Sequence, residues 1–184
     1  MGLATVLRAA IVLAGVVLVP CQASLAKRPV EPAVVIAEGD VPPAISLKDS
    51  AGRMVELEGM TGRIVIVTFW ATWCGPCLNE LPILATIQKK VGPDRLQVVA
   101  VNWKEYSSKP SRAKYRALFD ALENAGVRLA FDEYDRVSNA YGIDAIPHMF
   151  IIGKDGRVVH NHEGYSLNAL PAIVDELNVL LAEQ

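Results

Sequence analysis

Apolar residues fall along the chain in two kinds of run, short unbroken stretches and stretches with helical spacing. Ile64 to Trp70 (Ile64-Val65-Ile66-Val67-Thr68-Phe69-Trp70) is apolar, β-branched and brief, the pattern of a strand covered on both faces, and Gln97 to Val101 is a second such run. Ile45 to Leu57 alternates about Asp49-Ser50-Ala51-Gly52, which predicts a hairpin. Leu78 to Val91 has helical spacing, and Pro82 inside it removes the bond to the Leu78 carbonyl, predicting a kink. Ser111 to Ala125 is amphipathic, with Tyr115, Leu118, Phe119 and Leu122 on one face, Ser111 placed to cap its start and Gly126 its end. Val127 to Phe131 predicts a short strand, and Ser138 to Tyr141 a helical turn before Gly142. Met149 to Ile152 and Arg157 to His160 flank Gly153-Lys154-Asp155-Gly156, a second hairpin. A last helix begins near Ser166 to Asn168 and is expected to bury Leu170, Val174, Leu177 and Leu181. This order of elements predicts an α/β fold, a sandwich with helices on both faces of a mixed sheet.

The N-terminus changes the picture of where the protein works. Residues 1–26 have the form of a secretory signal: Arg8 gives a positive start, Ala9 to Val19 an apolar stretch too short to span a bilayer comfortably, and Pro20 an end. Small residues fit cleavage after Ala26 or after Ala23, and an uncleaved membrane anchor is the alternative. Cys21 raises lipidation, against which Pro20 stands in place of the small residue a lipobox needs. Lys27 to Pro43 carries four prolines and little periodicity, so residues 27–43 read as a linker with one short apolar patch at Val34 to Ala37, and 44–184 as the domain. With 184 residues, 52% of them hydrophobic, the chain can fold around one core without staples. A net charge of −2 without a basic cluster makes nucleic acid an unexpected partner.

Cleavage after Ala26 removes Cys21 and leaves only Cys74 and Cys77, in Trp73-Cys74-Gly75-Pro76-Cys77. An exported protein with a lone CxxC is not using its cysteines as a disulfide scaffold, so they are a redox pair or half of a metal site. Zinc needs two further ligands, and the chain has no second CxxC and no HxxxH. His160 and His162 would share one strand face, but on an exposed edge they read as solvated side chains, and no metal is expected. For redox chemistry the setting is apt. A cysteine at a helix N-terminus has its thiolate favoured by the helix dipole and by free N–H groups. Cys74 is therefore the expected nucleophile, with Gly75 giving the turn its freedom and Pro76 suited to the first helical turn. Cys77, one turn in, is the expected resolving thiol.

Phe69-Trp70-Ala71-Thr72-Trp73 leading into the CxxC, Glu80 and Pro82 after it, Pro147 after Tyr141-Gly142, and the closing run Ile151 to Val158 together resemble one family. Over about residues 40–183 the chain resembles the thioredoxin superfamily, specifically its exported TlpA/ResA-like thiol–disulfide oxidoreductases. The resemblance implies a thioredoxin-like three-layer sandwich with an N-terminal hairpin and an inserted strand-helix unit, Gln97 to Ala125. It also implies that Pro147 is cis and lies against the disulfide, with the Ile146 backbone offering substrate a strand-like edge. Trp73, Gly75, Pro76, Ile146 and His148 are the candidate substrate-facing residues; Trp70 and Trp103 are expected to pack, as is Trp73 if it does not face substrate. Asn102 and Glu105, at a strand end, are candidates to line a groove.

Two departures stand out. Thr68 occupies the place of the buried aspartate of plain thioredoxins, which leaves Glu80 as the candidate proton acceptor for Cys77, with dipole compensation or a lysine partner as its alternative roles. His148 stands where relatives carry a small hydroxyl residue; it is a candidate to tune the thiolate or to contact substrate, with a half-buried strand residue as the favoured alternative. The expected protein is a periplasmic monomer without cofactor that reduces selected protein disulfides, cytochrome c maturation among its settings, and is re-reduced by a membrane electron-transfer reductase. A copper-binding chaperone using Cys74, Cys77 and His148 is the competing class, against which the two-residue cysteine spacing argues. A peroxidase is disfavoured, since no separate peroxidatic cysteine is evident.

Overall fold

A computed structural model of the chain describes residues 35–49, 52–105, 115–164 and 170–183. The signal-like segment, residues 27–34 of the linker, Ser111 and the expected helix start near Ser166 to Asn168 lie outside the described residues. Seven strands form one mixed sheet: β1 (Ser46–Asp49), β2 (Met54–Glu56), β3 (Ile64–Trp70), β4 (Leu96–Asn102), β5 (Arg128–Phe131), β6 (His148–Ile152) and β7 (Val158–Glu163), in the order β2-β1-β5-β4-β3-β6-β7. Central β3 pairs parallel with β4 and antiparallel with β6. Every residue of β3, β4 and β6 is buried, which is why their sequences are unbroken apolar runs rather than alternating ones. The β1–β2 hairpin forms as predicted and closes one edge.

Helices α1 (Gly75–Val91), α2 (Arg116–Asn124) and α4 (Leu170–Ala182) cover one face, and the short α3 (Arg136–Ala140) with a 3-10 turn at Glu58–Met60 covers the other. Phe119 and Leu122 of α2 enter the first core, as their spacing predicts. Gly126 (φ 77°) ends α2 in a Schellman arrangement, its N–H bonded to the Glu123 carbonyl and that of Val127 to the Leu122 carbonyl. Asp132 takes the N–H groups of Arg136 and Ser138, so α3 begins two residues before the predicted turn. Pro82 is accommodated within one continuous α1.

Two expectations change. The last helix buries Ile173 and Leu177, while Val174 is exposed and Leu170 and Leu181 are half-buried. One residue is about 100° of helix rotation, so docking the Ile173–Leu177 pair on the sheet turns Val174 outward. The end of the predicted linker is also not free. Ile36 enters the second core, Gly39 N–H donates to the Val158 carbonyl (2.7 Å) and Val158 N–H to the Asp40 carbonyl (2.9 Å), satisfying backbone groups on the β7 edge.

Gln88, fully buried on α1, ties the layers together. Its side chain donates to the Ala125 carbonyl (2.7 Å) and accepts from Val98 N–H (2.5 Å) and Gln97 Nε2 (3.2 Å). Replacing it by an apolar residue strands buried donors and an acceptor, which costs roughly 1–3 kcal/mol for each. Gln88→Leu is expected to lower stability by about 2–4 kcal/mol, read as a lower urea midpoint at unchanged slope; a midpoint like that of the wild type contradicts this role.

Candidate active site

The path from β3 to α1 places the cysteines. β3 ends at Trp70, whose carbonyl accepts from Trp103 N–H (2.9 Å) and from Asn102 Nδ2 (3.4 Å) at the end of β4. The next turn is held by Glu105, which accepts from Thr72 N–H (3.1 Å), Asn102 Nδ2 (3.1 Å) and the Thr72 hydroxyl. The Tyr115 hydroxyl donates to the Thr72 carbonyl (3.1 Å). Asn102 and Glu105, expected at a groove, instead brace the segment that delivers Cys74. A Glu three residues past a strand gives no periodic signal, so the sequence could not assign this bracing.

Cys74 is the N-cap of α1, in extended conformation, and its Sγ accepts the N–H of Cys77 at 3.2 Å. Sulfur thus fills the place where a Ser or Asp oxygen would satisfy a free N–H of the first turn. Cys74 and Cys77 form a disulfide with Cα atoms 5.3 Å apart. Both are buried, Cys74 at 5% exposed and Cys77 at 1%, so the nucleophile expected from the sequence is the more accessible of the two. Pro76 lies in the first turn, where no N–H is needed. Gly75 lies outside the left-handed region, and a Cβ there would meet open space. Its smallness keeps the surface beside Cys74 flat. Trp73 stands half exposed beside Cys74, its indole N–H donating to the Lys104 carbonyl (2.9 Å), whereas Trp70 and Trp103 are packed inside.

Glu80 lies three residues beyond Cys77, one turn along α1, and is buried at 4% exposed. The Thr68 hydroxyl donates to its Oε1 at 2.9 Å. Burial pushes the Glu80 carboxyl up from 4.5 to about 7, against the pull of the Thr68 bond, which favours the charged form. Thr68, the departure on β3, thus holds the carboxyl of Glu80, the residue offered from the sequence as the substitute proton acceptor.

The Ile146–Pro147 bond is cis. Pairing of Phe69 with His148 sets Pro147 at the end of β3 that leads into the CxxC turn, and Ile146 packs against both cores. His148 behaves otherwise. Its ring stacks on Phe150 (centroids 4.8 Å apart) in the second core, and its Nε2 is 2.7 Å from Asn161 Oδ1. The cysteines belong to the first core, so β6 does not bring His148 to them. Alternation along a strand explains this: Met149 faces the cysteine side, and its neighbour His148 faces away.

A disulfide-forming CxxC opening the helix after the central strand, with a cis-proline strand beside it, defines a dithiol protein of thioredoxin-like fold. Residues 37–177 match the Redoxin family, and the chain belongs to it. It is 32% identical over 126 residues to the thiol-disulfide oxidoreductase ResA of Bacillus subtilis, a match covering 67% of this chain and 66% of that protein, just under two thirds of its length. It is 33% identical over 129 residues to the thioredoxin-like protein YneN of the same organism, covering 70% and 73%. Among solved structures, a chain described as a thiol:disulfide interchange protein DsbE from Chlorobium tepidum superposes with TM-score 0.65 at 30% identity, covering 80% of this chain and 99% of that one. An exposed lipoprotein thioredoxin from Streptococcus pneumoniae superposes with TM-score 0.59 at 27% identity, covering 75% and 100%.

The raised Glu80 carboxyl has a stability consequence. Between about 4.5 and about 7 the native protein keeps a proton that the unfolded chain has released, so stability falls as pH rises through that window. The full effect is roughly 3 kcal/mol. Glu80→Gln never ionises and escapes this loss. Urea unfolding of the oxidised protein near pH 5 and near pH 8 is expected to show the variant gaining on the wild type by about that amount at the higher pH; a pH-independent difference contradicts the shift.

Proposed function

We propose that this protein is an exported thiol–disulfide oxidoreductase that reduces selected protein disulfides. The observation carrying the reading is Cys74 at the N-cap of α1, disulfide-bonded to Cys77. In the reduced protein the Cys74 thiolate takes over the N–H that its sulfur already accepts, a charge-assisted bond that favours the reactive form. It attacks one substrate sulfur, forming a mixed disulfide and releasing the first substrate thiol. Cys77 gives its proton to the Glu80 carboxylate and attacks Cys74 Sγ, releasing the second thiol. The substrate gains two electrons and two protons, and the protein leaves with the disulfide seen in the structure. Its return to the dithiol requires a two-electron donor, for which a membrane electron-transfer reductase is the fitting class.

Substrate approaches over half-exposed Trp73, the flat Gly75-Pro76 corner and the Ile146 backbone before cis Pro147. Export to the periplasm is supported by the signal-like first 26 residues and by the lipoprotein nature of the pneumococcal neighbour. Among the described residues no helix is long and apolar enough to cross a membrane. Action as a monomer, with cytochrome c maturation as one setting, completes the reading. A copper chaperone gains no support, because its third ligand, His148, belongs to the opposite core.

Cys77→Ser leaves the nucleophile without its resolving partner, and Cys74→Ser removes the nucleophile. With each variant expressed in cells that export it, non-reducing gels are expected to show mixed disulfides accumulating on Cys77→Ser alone. Equal trapping by both variants contradicts the assigned roles.

A further inference from the structure

His160 and His162, expected as solvated side chains of a strand edge, find a partner on the next element, α4. Ile152 pairs with Val158 while Ile151 pairs with His160, so Val159 is an extra residue, a β-bulge. Val158 lies in the second core. Strict alternation from it would turn 160 and 162 to that same core. The bulge reverses the phase: His160 comes opposite Ile151 and His162 opposite Met149, both on the first-core face, which α4 covers. Asn161 takes the other face and reaches His148. Glu176, one position before the buried Leu177 of α4, meets the two rings there.

The geometry points to a divalent-metal site of the zinc class formed by His160 Nε2, His162 Nε2 and Glu176 Oε2. One ligand atom from each of the three residues lies within 4.8 Å of the other two. His162 Nε2 is 2.8 Å and His160 Nε2 3.9 Å from the same Glu176 oxygen. Donors around a tetrahedral zinc, each at about 2.0–2.1 Å from the ion, stand roughly 3.3 Å apart, so small side-chain rotations close the set. The remaining ring nitrogen of His160 is also engaged: its Nδ1 lies 3.4 Å from Glu38 Oε1, on the segment docked along the β7 edge. A carboxylate behind a histidine is the arrangement that fixes which nitrogen faces a metal and raises its basicity. Two imidazoles and a carboxylate leave the fourth position to water or to a further ligand and suit zinc better than calcium or magnesium, which take oxygen ligands. The three residues are each about a quarter to a third exposed, so an ion can enter from solvent. Bound there, it would fasten the edge strand to the C-terminal helix.

The site is separate from the dithiol and can be tested without it. In the oxidised, untagged protein Cys74 and Cys77 are disulfide-bonded and unable to ligate, and the only other histidine, His148, is buried. Zinc chloride titrated into that protein by calorimetry is expected to fill one site per chain. His162→Gln and Glu176→Gln are each expected to weaken it at least tenfold, and zinc to raise the melting temperature of the wild type but not of the variants. Far-ultraviolet circular dichroism checks that the metal-free variants are folded. Zinc uptake by His160→Ala/His162→Ala equal to that of the wild type, or no uptake by the wild type, overturns the proposal and leaves an ordinary histidine–carboxylate pair.

Discussion

Everything at the candidate active site depends on one constraint, that Cys74 stands at the first free turn of α1 with its sulfur on the Cys77 N–H. β3 runs through the middle of the sheet with all seven residues buried, so its end is among the best fixed points of the fold. From there the Trp70 carbonyl is held by β4, and Thr72 is held by Glu105 and Tyr115, before the chain reaches Cys74. A thiolate gains from a helix terminus only within the first turn. Precision of delivery is thus what the buried strand and its polar brace contribute to reactivity.

The same helix carries the proton chemistry. A buried carboxyl is destabilising when charged, and that cost raises Glu80 to about 7, with the Thr68 hydroxyl offsetting part of it, so both protonation states are populated around pH 7. In the proposed mechanism this carboxyl is the acceptor for Cys77, itself almost inaccessible to water. Stability is given up for a group poised at working pH, a compromise found where chemistry sets the pKa.

Much of this was legible in the residues. The unbroken runs of β3 and β4, the hairpin alternation and the Phe119–Leu122 face each have a period that one local structure satisfies, whereas the cis form of Pro147 was implied by the resemblance to a family and not by any spacing. What escaped depended on contacts between distant elements. Glu105 and Gln88 act through backbone groups that no side-chain pattern reveals. The buried stripe of α4 turned on how the helix docks. The side to which His160 and His162 point was inverted by a single bulged residue, because alternation carries no record of where its phase slips. His148 shows the converse: its place in sequence, next to cis Pro147, concealed that strand alternation points it away from the cysteines.

The direction of electron flow is the heart of the proposed function, and it is set by how far the surroundings favour dithiol over disulfide. The most direct measurement is the reduction potential of the Cys74–Cys77 pair, obtained by equilibrating the protein with defined thiol–disulfide buffers and counting alkylated cysteines. Reductase chemistry predicts a value toward that of thioredoxin, about −270 mV. A value near about −120 mV, where a disulfide is a strong oxidant, would contradict it and make the protein a disulfide donor.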